Sequence, residues 1–215
     1  TIGAEDKIAR IRNIADNYLY KDILAFDLVR GSKSLRDLLV ALALQIGQEV
    51  SYHELGQKLG MSYKTVERYI DLLEQSFVLF RFHAFSRNPR NELTRKVKIY
   101  FFDCGVRNAI INNFNSLDLR DDAGHLFENF MIADRVKRER NVKQPANLFF
   151  WRTYNQKEMD LVVEKNDRLE AVEFKWTTPK SAKALGGSFR NAYPRATTRV
   201  VAADQLSDIE WFCDV

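Results

Sequence analysis

Apolar residues recur at helical spacing through the first part of the chain. Residues 4–30 carry Ile8 and Ile11 on such a stripe, and residues 32–47 are apolar on almost every face up to Gly47. A one-sided stripe indicates an amphipathic helix, whereas an apolar surface all round indicates a buried one. The pattern therefore predicts two helices, of which the second is buried and ends at Gly47.

Two shorter helices are predicted next, joined by a turn. Ser51 begins the first with Glu54 at capping-box spacing, and Gly60 ends it in a left-handed conformation. Ser62 begins the second helix. Its buried stripe is predicted to consist of Val66, Tyr69, Ile70 and Leu73. Two helices joined in this way form a helix-turn-helix.

Two strand-like segments, Phe77 to Phe85 and Lys96 to Phe102, follow and enclose a polar loop. A helix-turn-helix followed by a hairpin is a winged helix, and basic side chains on its second helix and wing can neutralise duplex phosphates. The residues predicted to contact nucleic acid are Lys64, Arg68, Arg87, Arg90 and Arg95. Winged helices also dock proteins, and the acidic Glu67, Asp71 and Glu74 make the second helix mixed in charge, so a protein partner stays open.

The second half of the chain mixes helical and strand-like patterns. A helix is predicted to begin near Gly124, and its basic tail over 135–140 suits a solvated last turn. Its apolar stripe is predicted to consist of Leu126, Phe127, Phe130 and Met131. Strand, hairpin, helix and strand then follow at residues 147–153, 157–176, 181–192 and 197–203. The fold class predicted is α+β or α/β, with a winged-helix domain at 1–118 and a mixed-sheet domain at 119–215.

The candidate chemistry lies in the predicted hairpin, whose tip is placed at Asn166 and Asp167. That register puts Asp160 opposite Glu173, and side chains alternate along each strand. One face is then predicted to carry Glu158, Asp160, Glu173 and Lys175, and the other Met159, Leu161, Val163, Val172 and Phe174.

Facing carboxylates repel each other unless a cation lies between them. Because oxygen ligands on rigid strands suit Mg²⁺, Asp160 and Glu173 are predicted metal ligands, with Glu128 of the preceding helix as a third acidic group. Lys175 is suited to hold a phosphate oxygen or to orient a water. Plainer alternatives stay open: surface ion pairs of Lys175 with Glu158 and Asp160, each contributing about 0.2–1 kcal/mol, and a Glu128 that reaches solvent.

Composition narrows the class of protein. The 215 residues carry a net charge of +4, which is compatible with a nucleic-acid partner. The chain contains two cysteines and no zinc spacing, so a reducing cytoplasm is expected. No apolar run approaches the roughly 20 residues of a membrane helix, and no signal peptide is visible, so no membrane association is expected.

Two resemblances arise from these segments. The spacing Asp160-x12-Glu173-x-Lys175 resembles the PD-(D/E)xK motif of restriction-endonuclease-like nucleases. The order of several short motifs resembles the C-terminal region of a large bacterial and archaeal family of predicted AAA-type ATPases. These motifs lie at residues 18–23, 52–55, 64–69, 98–105, 124–129, 150–153, 158–160 and 173–175.

In that family a nucleotide-binding module precedes a winged helix and a last domain that looks restriction-endonuclease-like. The resemblance implies that Glu128, Asp160, Glu173 and Lys175 occupy the nuclease positions, with Mg²⁺ as the cofactor. No Gly-x4-Gly-Lys-Ser/Thr phosphate loop occurs in the sequence, so ATP is expected to bind an upstream ATPase module of the same polypeptide.

Three functions stay open at this point. The first is Mg²⁺-dependent hydrolysis of phosphodiesters by the hairpin residues. The second is a catalytically inactive module that binds DNA or protein through the winged helix. The third is a regulatory domain of the ATPase that binds no nucleic acid.

Overall fold

A computed structural model gives the fold, and it describes residues 4–15, 17, 32–86, 97–153, 155–179 and 186–208. The chain divides into two compact units, one formed by Thr1–Arg81 with Lys98–Arg120 and the other by Phe82–Val97 with Asp121–Val215. That residues 1–118 and 119–215 are separate domains stays a prediction.

The first unit is mainly helical. Its elements in chain order are α1 Ala4–Ala15, α2 Ser32–Leu44, α3 Tyr52–Leu59, α4 Tyr63–Gln75, strands β1 Leu79–His83 and β2 Val97–Phe101 (which begin or end beyond the unit), and α5 Cys104–Ile110. Helix α2 ends three residues earlier than predicted, and Gly47 lies beyond it with a φ of 74°. The predicted helix at 4–30 is described as far as Ala15, and most of the remainder lies outside the described residues.

One apolar core holds the first unit together. Leu38 and Leu42 of α2 are fully buried in it, together with Ile99 of β2. The predicted stripe of α4 is confirmed, because Val66, Tyr69, Ile70 and Leu73 are all buried. Burial of such a side chain contributes about 1.5–3 kcal/mol, so these residues fix which face of α4 is turned inward and which is left outside.

The turn between α3 and α4 follows the predicted capping pattern. The Ser51 hydroxyl accepts from the backbone N–H of Glu54, and Gly60 ends α3 at a φ of 67°. Ser62 caps α4 by accepting from the N–H of Thr65 at 3.1 Å. Gly56 is also required here, because a β-carbon at this position would lie 2.6 Å from the carbonyl oxygen of Met61. These contacts set the approach of the two helices.

The predicted strand at Phe77 to Phe85 is wrong at its beginning. The N–H of Phe77 bonds to the carbonyl of Glu74, and the N–H of Val78 bonds to the carbonyl of Leu73. This pattern is a Schellman motif, which requires a left-handed residue, and Phe77 has a φ of 54°. The end of α4 therefore uses the residues that were expected to begin the strand, and β1 starts at Leu79.

The second unit places helices beside a four-stranded sheet. Its elements are α6 Ala123–Glu139, β3 Asn147–Arg152, β4 Glu158–Lys165, β5 Arg168–Lys175, α7 Gly187–Ala192 and β6 Thr197–Ala202. The strand order is β3-β4-β5-β6. The first three strands are antiparallel and β6 is parallel to β5, so the sheet is mixed, as the sequence predicts. The fold is therefore a mixed α+β fold with two sheets.

Two aromatic contacts connect this sheet with its helices. Phe127 of α6 meets Phe174 of β5 edge-to-face, with ring centroids 6.1 Å apart. Phe189 of α7 is fully buried and meets Trp151 of β3 at 5.1 Å. Aromatic pairs of this geometry add about 0.5–1.5 kcal/mol beyond the area that they bury. They position α6 and α7 relative to the strands that carry the candidate chemistry.

Two predictions about α6 are wrong. Phe130 was expected on the buried stripe, but it is 53% exposed, and the neighbouring Asn129 is fully buried instead. Arg135 was expected in a solvated tail, but it is buried and paired with Glu139 at 2.8 Å. Helical spacing alone predicted one buried stripe, whereas the tertiary fold buries a wider part of this helix. None of the described helices has the length and hydropathy needed to cross a bilayer.

Candidate functional site

The hairpin of β4 and β5 has the predicted register. Asn166 and Asp167 form its tip with φ values of 49° and 63°, as a type I′ turn requires. The paired residues run from Lys165 opposite Arg168 to Leu161 opposite Val172. This register brings the predicted residues of the two strands to the same end of the hairpin.

A β-bulge interrupts the alternation of side chains just at that end. Phe149 of β3 lies opposite Val162, but Trp151 lies opposite Met159, so two residues of β4, Asp160 and Leu161, match the single Phe150 of β3. Met159 and Val162 consequently share one core cluster with Phe189. The prediction that Met159 shares a face with Leu161 and Val163 is therefore wrong, because pairing with β3 inserts an extra residue into β4.

The two predicted metal ligands of the hairpin make different contacts. Oδ2 of Asp160 accepts a hydrogen bond from the backbone N–H of Phe174 at 2.7 Å. Oε1 of Glu173 lies 2.6 Å from Nζ of Lys175. Glu158, predicted on the same face, lies 3.7 Å from Nε of Arg152, its neighbour on β3. Each carboxylate thus has a protein contact of its own.

Glu128 joins this group from α6. Its side chain is only 11% exposed, so the alternative in which it reaches solvent is wrong. Nδ1 of His125, one helical turn earlier, lies 3.7 Å from Oε2 of Glu128. Sequence reasoning did not single out His125; its spacing of three residues from Glu128 was the available signal.

Lys175 is the group that connects the three carboxylates. Burial of the amine lowers the pKa of Lys175, but the hydrogen bond and charge of Glu173 and the charges of Asp160 and Glu128 outweigh it, so the pKa lies above its ordinary value. A lysine in this setting is a stable cation at neutral pH. Lys175 thus lies within electrostatic reach of Glu128, Asp160 and Glu173, and we call these four residues the carboxylate cluster.

The carboxylate cluster does not fit a bound metal ion in this arrangement. Across the described parts of the chain, no three His, Cys, Asp or Glu side chains are grouped so that they could hold one. Mg²⁺ requires near-octahedral oxygen ligands at close range. Here Oε1 of Glu173 forms an ion pair with Lys175, and Oδ2 of Asp160 accepts a hydrogen bond from the backbone N–H of Phe174. No chemical step through a metal is derived from this geometry.

A second candidate site is the exposed surface at the beginning of α4. Tyr63, Lys64 and Arg68 are exposed there. The Tyr63 ring lies 5.7 Å from that of Tyr52 on α3, and the Arg68 guanidinium lies 5.3 Å from the ring of Tyr69. A guanidinium at that distance is attracted by the ring face. These contacts position Tyr63 and Arg68 on the first two turns of α4, where Lys64 is also exposed.

The acidic residues at the other end of α4 are bound to Arg81 of β1. Glu74 accepts from the backbone N–H of Arg81 at 2.8 Å and from its Nε at 2.7 Å. Asp71 lies 2.7 Å from Nη2 of the same residue. Burial raises the pKa of the nearby Tyr52 phenol to about 12, although Arg81 acts in the opposite direction. Arg81 thus offsets two of the three acidic charges that made this helix mixed in charge.

Sequence reasoning missed Arg81. The available signal was an arginine between apolar neighbours in the strand segment Leu79–His83, seven residues after Glu74. The predicted wing residues Arg87, Arg90 and Arg95 lie outside the described residues. Of the five predicted nucleic-acid contacts, the structure therefore describes Lys64 and Arg68, and it brings them together on one exposed surface.

Comparison with known proteins finds two family models and several longer relatives. Residues 3–117 match a domain of unknown function, DUF8612, and residues 123–212 match another, DUF4143. An uncharacterized protein of Mycobacterium tuberculosis is 26% identical over 184 residues, which cover 84% of this chain and 41% of that protein. An uncharacterized protein of Haemophilus influenzae is 20% identical over 176 residues, covering 80% and 41%.

The chain thus spans about two fifths of the length of the curated relatives that it matches. No solved structure matches it. The first family model extends over more than half of the 215 residues, and the second covers most of the remainder. The chain therefore belongs to the family defined by the domain of unknown function DUF8612, followed here by a region that matches DUF4143.

Proposed function

We propose that the chain is a DNA-binding part of a longer protein, and that the beginning of α4 is its contact surface. In this proposal α3 and α4 act as a helix-turn-helix, and the segment after β1 acts as a wing that contacts the adjacent phosphates. The observation that carries the proposal is the pair of exposed cations at the beginning of α4, Lys64 and Arg68, with Glu67 between them. The two later acids of this helix, Asp71 and Glu74, are bound to Arg81.

The geometry of a helix-turn-helix supports this choice of surface. In that motif the N-terminal residues of the second helix reach base edges in the major groove, and basic side chains neutralise phosphates. Tyr63, Lys64 and Arg68 lie on the first two turns of α4. Exposed acids near them would repel the duplex, and the ion pairs with Arg81 reduce that repulsion.

Replacing both Lys64 and Arg68 with alanine is expected to weaken duplex binding by about 10- to 100-fold at low salt, and to reduce the slope of log K against log salt by about 2. The measurement is fluorescence anisotropy of a labelled duplex over a salt series. The matched control is Lys33→Ala with Arg36→Ala, which removes the same two charge types from exposed positions on α2.

Equal losses in both double variants would show that binding depends on net charge alone and would contradict the proposal. Absence of duplex binding by the wild-type chain would reject it and favour a protein partner for this surface.

The larger protein is proposed to supply an ATPase module upstream of this chain. The resemblance of the ordered motifs to AAA-type ATPases supports this assignment. The length of the curated relatives, of which the matched region is 41%, leaves room for such a module. In this proposal, ATP binds the upstream module, and the DUF8612 and DUF4143 regions bind DNA or a protein partner.

Metal-dependent hydrolysis is the second candidate function. The observation that favours it is the Glu173–Lys175 ion pair on either side of Phe174, whose backbone N–H binds Asp160, with Glu128 within electrostatic reach of Lys175. Incubation with plasmid and single-stranded DNA in the presence of Mg²⁺ or Mn²⁺ tests it. Cleavage that is lost on both Asp160→Ala and Glu173→Ala would support hydrolysis and exclude an inactive sheet unit, whereas absence of cleavage agrees with the first proposal.

A further inference from the structure

The carboxylate cluster contains two carboxylates that need a counter-charge. Glu128 and Glu173 are only 11% and 12% exposed, respectively, and Asp160 lies within electrostatic reach of the same lysine. Removing a carboxylate from water is costly unless a cation or hydrogen-bond donors compensate it. A positive charge within reach of all three carboxylates therefore offsets part of this cost.

The chain supplies this positive charge itself. The Lys175 ammonium lies 2.6 Å from Glu173 and is attracted by Asp160 and Glu128 as well. We propose that Lys175 is the resident counter-ion of the carboxylate cluster: its ammonium takes the position that a divalent metal would need, and the cluster stabilises the sheet instead of binding metal.

The contacts of Asp160 point in the same direction. Its Oδ2 accepts from the N–H of Phe174 at 2.7 Å, next to the β-bulge where the regular pairing of β4 with β5 ends at Leu161 opposite Val172. Asp160 thereby satisfies a backbone donor beyond the paired stretch. A carboxylate that completes the sheet in this way has to break that bond before both of its oxygens can coordinate a metal.

This inference concerns the sheet unit and does not depend on DNA binding by α4. It predicts that the cluster is a closed electrostatic unit in which Lys175 and Glu173 are energetically coupled. A metal-binding site predicts the opposite behaviour. Metal binding would stabilise the folded protein, and Lys175 would not be needed to balance the charges of the carboxylates.

Urea unfolding of the whole chain tests the proposal. The wild-type midpoint should not shift with excess Mn²⁺ beyond the shift given by sodium chloride of equal ionic strength. Lys175→Met should lower the midpoint, and adding Glu173→Gln should recover more than half of that loss, because both partners of the pair are then neutral. Lys175→Arg, which keeps the charge, should retain most of the wild-type midpoint.

The matched control is Lys165→Met, at a lysine of the same hairpin that lies opposite Arg168 in the strand register. Its effect on the unfolding midpoint should be the same with and without Glu173→Gln. A rise of the wild-type midpoint with Mn²⁺ that Asp160→Asn abolishes would overturn the proposal. So would an equal loss from Lys175→Met with and without Glu173→Gln. If Lys175→Met does not fold, folding of the double variant gives the same support, and the wild-type Mn²⁺ titration can overturn the proposal by itself.

Discussion

Glu139→Ala is expected to lower the free energy of unfolding by about 3–5 kcal/mol, which is the cost of leaving a buried charge without its partner. Nε of Arg135 donates to Oε1 of Glu139 at 2.9 Å, and the two side chains are only 5% and 10% exposed. Oε2 of Glu139 also accepts from the backbone N–H of Ala146 at 2.6 Å. The substitution therefore leaves both the Arg135 guanidinium and the backbone N–H of Ala146 without the acceptor that Glu139 provides.

A second arginine increases this cost. Arg199 of β6 is paired with Glu170 of β5 at 2.7 Å, and burial and the charge of Arg135 both lower the pKa of Arg199, although Glu170 raises it. Arg135 and Arg199 are thus close enough to repel each other. Without Glu139, the Arg135 guanidinium would lose its counter-charge while the positive charge of Arg199 still acts on it.

The same helix offers a matched control for this prediction. Asp134 and Arg138 form an i,i+4 ion pair at 2.7 Å, but their side chains are 30% and 47% exposed. Asp134→Ala should cost only about 0.2–1 kcal/mol, because water replaces the lost partner. The measurement is urea unfolding of both variants under identical conditions. Costs of similar size in the two variants would show that burial of Arg135 does not make its pairing essential.

Glu74→Ala is expected to cost about 2–3 kcal/mol, because it removes charge-assisted hydrogen bonds to Arg81 and leaves a strand N–H without its acceptor. Oε1 accepts the backbone N–H of Arg81, and Oε2 lies 2.7 Å from its Nε and 2.5 Å from its Nη2. Asp71 makes an ion pair with the same guanidinium at 2.7 Å. Asp71→Ala should therefore cost less than about 1 kcal/mol.

Urea unfolding again gives both values, and Glu74→Gln separates charge from acceptor. The glutamine oxygen can still accept the backbone N–H of Arg81, so Glu74→Gln should recover part of the loss seen with alanine. An effect of Glu74→Ala no larger than that of Asp71→Ala would contradict the role of Glu74 in tying β1 to α4. The Glu74–Arg81 ion pair matters for function because it also offsets acidic charge on the proposed DNA-binding helix.

Elements whose signals are local could be predicted from the sequence. Ser51, Gly60 and Ser62 mark the ends of α3 and α4 because caps and left-handed residues act within one helical turn. The register of β4 with β5 followed from the two residues at the tip of the turn, Asn166 and Asp167. Strong local chemistry thus fixed both the ends of α3 and α4 and the register of the hairpin strands.

Features that depend on distant partners could not be predicted in this way. The bulge beside Asp160 arises from pairing with β3, so alternation along β4 alone misplaced Met159. In the sequence Arg135 lies in a run of basic residues, and only its contact with Glu139 and the fold around it make it part of the interior. Arg81 gained its role through two side chains of α4, which the strand sequence does not specify.

Photo-crosslinking tests the proposed DNA contact most directly. A photoreactive phenylalanine analogue replaces Tyr63, which is 49% exposed on α4, or in a separate protein Phe130, which is 53% exposed on α6. The account predicts that the protein labelled at position 63 crosslinks to a duplex in a salt-sensitive manner and that the protein labelled at position 130 does not. Crosslinking that is absent at position 63, or equal at both positions, would contradict a DNA-binding surface at the beginning of α4.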